Sequence, residues 1–440
     1  MLRQMVLFCF KKIFLRSGME TMKAANFLKS LGPGLLFAGA AVGVSHLVQS
    51  TRAGAGYGFE LVWGVIIANA LKYPFMEFAP RYANATGNSL VEGYRTIGRW
   101  ALVLYVLLTV LTMFAIQAAV SIVTAGLFAT VFGLHMPVTW ITAIILLIAM
   151  IVLGVGRYEA LDKIIKFVII TLAISTLVAV LYAFGAGYFK QDSLSGNFDW
   201  NSTVDLLFLI AFVGWMPAPI DVSVWHSLWS VAKVRQLGHR PSMKQVLTDF
   251  NIGYIGAAVL ALLFLSLGAL VMFGSGQELS EQGIVFSQQL ISMYTSSIGP
   301  WAYWLIAIAA LTTMVSTTIT CLDAYPRVMR SATQGLMPRL QRNPKSQTSL
   351  YWFWIVIVTA GTLLLLSLLK SSMAFMVDLA TTISFVTAPV LAILNYRVIM
   401  HAHVPSEARP RKWLRIYALA GIVFLSAFSL FYILWRLFIH

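Results

Sequence analysis

Two residues of this sequence stand where an ionisable side chain is expensive. His46 lies inside the apolar run 31–57 and Asp221 inside the run 204–230. A charge at the middle of a bilayer costs at least a few kcal/mol, so each residue is a functional candidate. Asp221 could bind a cation, relay a proton or pair with His46. His46 could ligate a metal or carry a proton, since histidine titrates near neutral pH. Each also has a plainer reading: His46 as a neutral histidine bonded to a freed carbonyl, Asp221 as a structural partner for an arginine or a helix end. Met216 is a soft ligand suited to a transition metal, although one methionine among 18 is more often packing. Gly43 and Ser45 would add backbone and hydroxyl oxygens beside His46. The hydroxyls of Thr312, Thr313, Ser316, Thr317 and Thr318 could complete a sodium site, Thr312, Thr313 and Ser316 foremost, or bond back to their own helix and glue neighbours together. Lys72 and Glu77 read as a structural ion pair or as groups reaching for the interface. No paired carboxylates, HExxH or Ser/His/Asp set falls within one membrane layer, so the chain reads as no enzyme and needs no cofactor.

These residues are carried by helices that must cross a membrane. With 59% hydrophobic and 11% charged residues among 440, the chain has too few charges to cover a water-facing surface. About eleven apolar runs are long enough to span, near 31–57, 59–82, 100–131, 137–156, 161–188, 204–230, 251–274, 300–325, 349–370, 373–398 and 413–437. The third is over-long for one crossing. The first span ends in Gly54-Ala55-Gly56-Tyr57-Gly58, and the sixth contains Gly214-Trp215-Met216-Pro217-Ala218-Pro219. Two prolines two residues apart free carbonyls that a regular helix would bond. Transporters place their sites at such breaks, in corresponding positions of two internal repeats. The first and sixth spans each open a five-helix block, 31–188 and 204–398, followed by 413–437. That arrangement predicts a five-plus-five inverted repeat with its site between the two breaks. Kinks alone are the simpler explanation of the Gly and Pro.

The basic residues set the orientation. Arg3, Lys11, Lys12, Arg16, Lys23, Lys29, Arg95, Arg99, Arg157, Lys163, Lys233, Arg235, Arg240, Lys244, Arg327, Arg330, Arg339, Arg342, Lys345, Arg397, Arg409, Arg411, Lys412 and Arg415 fall in loops on one side. The other side carries little beyond Arg52, Lys190, Lys370 and Arg436. The positive-inside rule puts the first set and the amino terminus in the cytoplasm and the carboxyl terminus outside, in a plasma (inner) membrane. The net charge of +15 is thus a matter of topology and implies no nucleic acid. The segment 1–30 is basic and reads as a surface-lying stretch or as sequence upstream of a start at Met19 or Met22. Cys9 and Cys321 fit no metal or redox motif and read as free thiols. No phosphate loop is present, which leaves a secondary transporter, a channel or a membrane enzyme. The partners expected are the bilayer and a small solute or ion, with no obligate protein partner evident.

The stretch from Gly32-Pro33-Gly34-Leu35-Leu36 to Thr86-Gly87 resembles the start of the Nramp family of divalent-metal transporters, with Ala53-Gly54, Gly58, Trp63, Asn69 and Arg81 in place. Phe132-Gly133 before Pro137, Leu153-Gly154 to Leu161, and His226-Ser227 are similar to later family turns. The resemblance implies an all-α, LeuT-type fold. It also exposes departures. Where the family has Asp-Pro-Gly-Asn, this chain has Gly43-Val44-Ser45-His46. Where it has Met-Pro-His, alignment on Met216-Pro217 gives Ala218, and alignment back from His226-Ser227 gives Asp221. Gln117 and Val120 stand in for acidic residues of the third span. The resemblance implies transport of a divalent metal by alternating access, with His46, Met216, Asp221 and carbonyls near Gly43 as ligands. If coupling is to protons rather than sodium, His46 and Asp221 are the carriers at that depth. Two alternatives remain: sodium-coupled transport of a small organic solute, and a non-transporting sensor or scaffold.

Overall fold

The computed structural model describes residues 32–156, 158–189, 194, 196–342, 344–370 and 372–438. The segment 1–30, its start site and Cys9 lie outside the described residues. Among those described there is no strand, and the chain runs through fifteen α-helices. In order these are α1 (Pro33–Ala41), α2 (Thr51–Tyr57), α3 (Val62–Thr86), α4 (Leu90–Ile97), α5 (Arg99–Phe132), α6 (Val138–Val155), α7 (Tyr158–Gly185) and α8 (Thr203–Gly214). Then come α9 (Asp221–Leu237), α10 (Met243–Val271), α11 (Gly283–Ile298), α12 (Tyr303–Leu336), α13 (Pro344–Leu369), α14 (Met373–Met400) and α15 (Lys412–Phe438). A π-helical turn, Ser45–Ser50, joins α1 to α2.

Each expected span falls on a helix or a broken pair. Among the described residues seven helices are long and apolar enough to cross a membrane, and the bent first pair adds an eighth. The 34 residues of α5 extend about 51 Å, well beyond a hydrocarbon core of about 30 Å. Two helices fall outside the expected set. The first, α4, opens with a capping box in which Ser89 and Glu92 satisfy each other's backbone N–H. The second is α11. A Ser242–Gln245 capping box also starts α10 at Met243 rather than 251, and α12 runs on to Leu336 rather than 325. At the centre stands α12, packed on α5, α6, α7 and α13. By contrast α6, α13 and α15 turn large apolar side chains such as Trp140, Leu368 and Val423 outward, toward lipid.

Both anticipated breaks are present. The two halves of the first span are bent by 48°. The sixth stops at Gly214 and resumes at Asp221. Pro217 has no N–H for the Val213 carbonyl four residues back, so α8 must end there.

A single helix, α10, frames both halves of the first span. A Cβ on Gly34 would lie 2.0 Å from Asp249 O, and one on Gly253 2.0 Å from Gly34 O. About four turns further along α10, a Cβ on Gly54 would lie 1.9 Å from Leu265 O, and one on Gly268 2.4 Å from Thr51 O. The backbones touch at two crossings, as small residues allow within membranes. At the first crossing the Asp249 carboxylate accepts Gly32 N–H (3.0 Å) and Gly34 N–H (2.7 Å). It thereby caps the orphan donors of α1 and meets its positive end.

Gly253→Ala is therefore expected to lower the thermal midpoint of the purified protein sharply, because a methyl group striking backbone costs about 1–3 kcal/mol or more. Gly256→Ala, with nothing within 4 Å of its Cβ, should leave the midpoint unchanged. Equal behaviour of the two variants would show that the crossing is not close.

Candidate transport site between the two broken spans

The breaks meet through Ser45. Its hydroxyl lies 2.8 Å from Ala41 O, a carbonyl freed at the end of α1, and 3.3 Å from Pro217 O in the other break. A cavity of about 20 Å³ sits beside it, lined among others by Ala41, Ser45, Pro219, Trp225, Thr317 and Cys321. That is room for about one water or one stripped ion. Gly43 leaves space for Thr317, whose side chain would lie 3.0 Å from a Cβ there.

His46 is fully buried. Its Nε2–H donates to Ala257 O on α10 (2.9 Å), and Nδ1 shares a hydrogen bond with Ser45 Oγ (2.8 Å). This is the second role weighed from the sequence, a histidine bonded to a carbonyl, except that the carbonyl belongs to a neighbouring helix. Met216 Sδ lies 3.8 Å from Ser50 Oγ, among apolar side chains that include Ala53, Val65 and Phe208. Asp221, in the first turn of α9, turns the opposite way, toward α5 and α12. Neither of its buried carboxyl oxygens has a hydrogen-bond partner. Thr112 faces it but donates to Thr109 O (3.3 Å). Tyr105 and Tyr325 are within electrostatic reach, their hydroxyls beside those of Thr109 and Thr112. His46, Met216 and Asp221 therefore point to three different neighbours in this conformation. No cluster of three His, Cys, Asp or Glu residues occurs among the described residues.

Lys72 and Glu77 do not pair with each other, contrary to expectation. Lys72 Nζ donates to Val213 O (2.8 Å) and Gly214 O (2.7 Å), while Glu77 holds Arg81 one turn away. The reason is spacing: residues five apart do not share a helix face, and residues four apart do. Of the α12 hydroxyls, Thr313 bonds back to Ala309 O (2.8 Å). Thr318 meets Thr124 of α5 (2.7 Å). Thr317 bonds to Thr313 O (3.0 Å) and lies 3.5 Å from Val42 O in the first break. Thr317, rather than Thr312, Thr313 or Ser316, is the hydroxyl that reaches the unwound first span. Gln117 donates to Ser121 Oγ (3.1 Å), with Thr318 O at 3.4 Å.

Two larger spaces approach this centre from opposite ends. A vestibule of about 840 Å³ is lined by Arg52, Tyr57, Asp205, Phe208, Glu278, Asp378 and Arg436. At its floor Arg52 holds Asp378 through both nitrogens (2.7 and 3.1 Å), braced by Gln49 (2.9 Å). At the other end a pocket of about 380 Å³ is lined by Pro33, Asn84, His226, Ser230, Lys233 and Asp249. The sequence reading missed the Arg52–Asp378 pair, the Thr112–Tyr105–Tyr325 surround of Asp221 and the placement of Cys321. Asp378, a carboxylate within an apolar run, was the one readable signal among them.

The Nramp family model (natural resistance-associated macrophage protein-like) matches residues 34–435, nearly the whole described bundle. The chain belongs to the Nramp family. An uncharacterized protein of Pasteurella multocida is 36% identical over 411 residues, covering 92% of each chain. The divalent metal cation transporter MntH of Latilactobacillus sakei is 26% identical over 320 residues, covering 68% of this chain and 67% of that one. Among solved structures, a manganese transporter of Eremococcus coleocola superposes with a TM-score of 0.66 over 94% of this chain and 88% of the other, at 15% identity. The fold is thus the all-α LeuT type read from the helix breaks. The protein is a multi-pass membrane transporter of the Nramp family, not an enzyme.

Within this Nramp chain the carboxylate of Asp221 is a liability to the fold, since two buried oxygens lack donors. Asp221→Asn keeps the shape and removes the charge. Its thermal midpoint should equal or exceed that of the parent, the pattern of a residue retained for function. A fall of several degrees would instead make Asp221 a structural partner.

Proposed function

We propose that the chain carries a divalent metal cation across the membrane by alternating access between the vestibule and the opposite pocket. The cation would sit where the two breaks meet, with Asp221, turned back from α5 and α12, as its carboxylate and freed carbonyls completing the shell. The single observation that carries this reading is Asp221 itself: a buried carboxylate with both oxygens open, in the first turn of α9, beside a break that Ser45 bridges. The metal transported by the related MntH supports the substrate class. Hydroxyls around Asp221 would let it pass a proton to the pocket side when the cation arrives, so that proton and metal share one group. His46 would join the shell by leaving Ala257 O, and Met216 by turning from Ser50. The vestibule then faces outward and the basic loops inward, with the amino terminus in the cytoplasm and the carboxyl terminus outside, in a plasma (inner) membrane.

A second reading keeps the fold and replaces the metal by a small organic solute driven by sodium. The approach of Thr317 to Val42 O favours it, since a hydroxyl and freed carbonyls are ligands for a hard cation.

Uptake of manganese or cadmium into proteoliposomes distinguishes them. The wild-type chain is expected to take up metal in a manner dependent on an inward proton gradient. Asp221→Ala should lose at least the roughly tenfold that even an outer-shell partner is worth, and replacing sodium by choline should change nothing. Metal uptake that survives in Asp221→Ala removes that residue from the site. Absence of metal uptake, with sodium-dependent uptake of an organic solute, establishes the second reading.

A further inference from the structure

Lys72 is a buried cation that the transport reading does not use. It stands midway along α3 with its side chain wholly shielded. Its ammonium reaches across to the end of α8 and bonds two carbonyls, Val213 O at 2.8 Å and Gly214 O at 2.7 Å. The sequence explains why those oxygens are available. Pro217 offers no N–H to Val213, and the chain turns out of the helix before Ala218 could reach Gly214. In place of its helical partner Val213 O keeps only turn contacts, from Trp215 N–H and from Met216 N–H (3.3 Å). Among the described residues no carboxylate pairs with the ammonium. Its only compensation is the negative end of α8, equivalent to about half a charge.

An ammonium enclosed by backbone carbonyls at a helix carboxyl end, with no acid beside it, has the surroundings of a bound monovalent cation. In broken-helix transporters unwound carbonyls and helix ends are cation ligands. A chain that needed only hydrogen-bond donors there could use a serine or a glutamine and avoid burying a charge. The local packing also holds the carbonyls in place. A Cβ on Gly214 would lie 2.3 Å from Thr381 O of α14, and Trp215 Nε1–H donates to Ser384 Oγ of α14 (2.8 Å). The end of α8 cannot swing away to find other donors.

We propose that the Lys72 ammonium is a tethered cation: it permanently fills a monovalent-cation site at the carbonyl end of α8, and a small free cation takes that site when the side chain is removed. The sixth span is then charge-complete at this point without sodium or potassium. The inference is independent of the transported substrate, and its test needs none.

The test compares thermal midpoints of the purified full chain in nanodiscs, in chloride salts of equal ionic strength. The cations are N-methyl-D-glucamine, too bulky to enter, then sodium, potassium and ethylammonium. Wild type and Lys72→Arg should melt at the same temperature in all four. Lys72→Ala should melt lowest in N-methyl-D-glucamine and rise by about 3 °C or more in at least one of the small cations, as mass action requires of a ligand that binds the folded state. A Lys72→Ala protein that no small cation stabilises would overturn the proposal and leave the ammonium as a plain strut. Where Lys72→Ala does not fold, Lys72→Gln decides. It keeps donors for both carbonyls but carries no charge, so the proposal requires it to melt well below Lys72→Arg. Wild-type stability in Lys72→Gln would show that hydrogen bonding suffices, and the tethered-cation reading would fail.

Discussion

A carbonyl that loses its helical N–H in the middle of a membrane has no water to turn to. It must find another donor or the break cannot persist. Much of this bundle is arranged around that requirement. Pro217 and Pro219 withdraw donors from the sixth span, and Lys72 supplies replacements from α3. The first span frees Ala41 O, and Ser45 reaches it while also lying within reach of Pro217 O. Ser50 then closes on Ser45 O (3.1 Å). The two breaks thus lie against one another at Ser45.

Those substitutions need a frame that does not move with them, and α10 has the properties of one. It touches α1 and α2 backbone to backbone at two glycine crossings, and between these it receives the His46 imidazole at Ala257 O. His46 therefore ties the π-helical turn to the frame at the middle of the membrane, where neither glycine crossing acts. A histidine suits this task because one ring nitrogen can donate to the frame while the other holds Ser45. The His46 bond and the two glycine crossings are the contacts that hold the first span to α10. The crossings are backbone packing, whereas the His46 contact is one hydrogen bond. The same separation explains the two ends of the route. Arg52–Asp378 closes the vestibule floor by an ion pair that can part, whereas Asp249 holds the start of α1 through backbone donors.

The fold was largely legible because its signals are local. Apolar runs of spanning length, the Gly-rich end of the first span and the Pro-x-Pro of the sixth each state a physical constraint within a few residues. The capping boxes at Ser89 and Ser242 were equally local, but they start amphipathic or polar stretches that a search for apolar runs passes over. The site was far less legible. His46 bonds a carbonyl 211 positions away and Lys72 one 141 positions away, and no pattern along the chain encodes such partners. Spacing did contain one usable clue. Glu77 and Arg81 are four apart and pair, whereas Lys72 and Glu77 are five apart and do not. The lysine therefore had to be satisfied by another element.

The charges left in the centre bear on what the site accepts. Lys72 and Asp221 carry opposite signs and flank the same break, yet they do not meet: one faces α8 and the other faces α5 and α12. Had they paired, the break would be electrically closed and Asp221 would have no call on a cation. Kept apart, the ammonium satisfies backbone oxygens and the carboxylate stays open, so a cation arriving beside α9 meets one uncommitted negative charge. It also meets the field of a fixed positive one across the break, in a medium where such fields are little screened. A site of that kind binds a divalent ion less tightly than one with several carboxylates. Weak binding is an advantage to a carrier that must release its load on the far side. On the transport reading proposed above, Gly43 in place of the family's first-span aspartate leaves Asp221 as the carboxylate that sets occupancy and release.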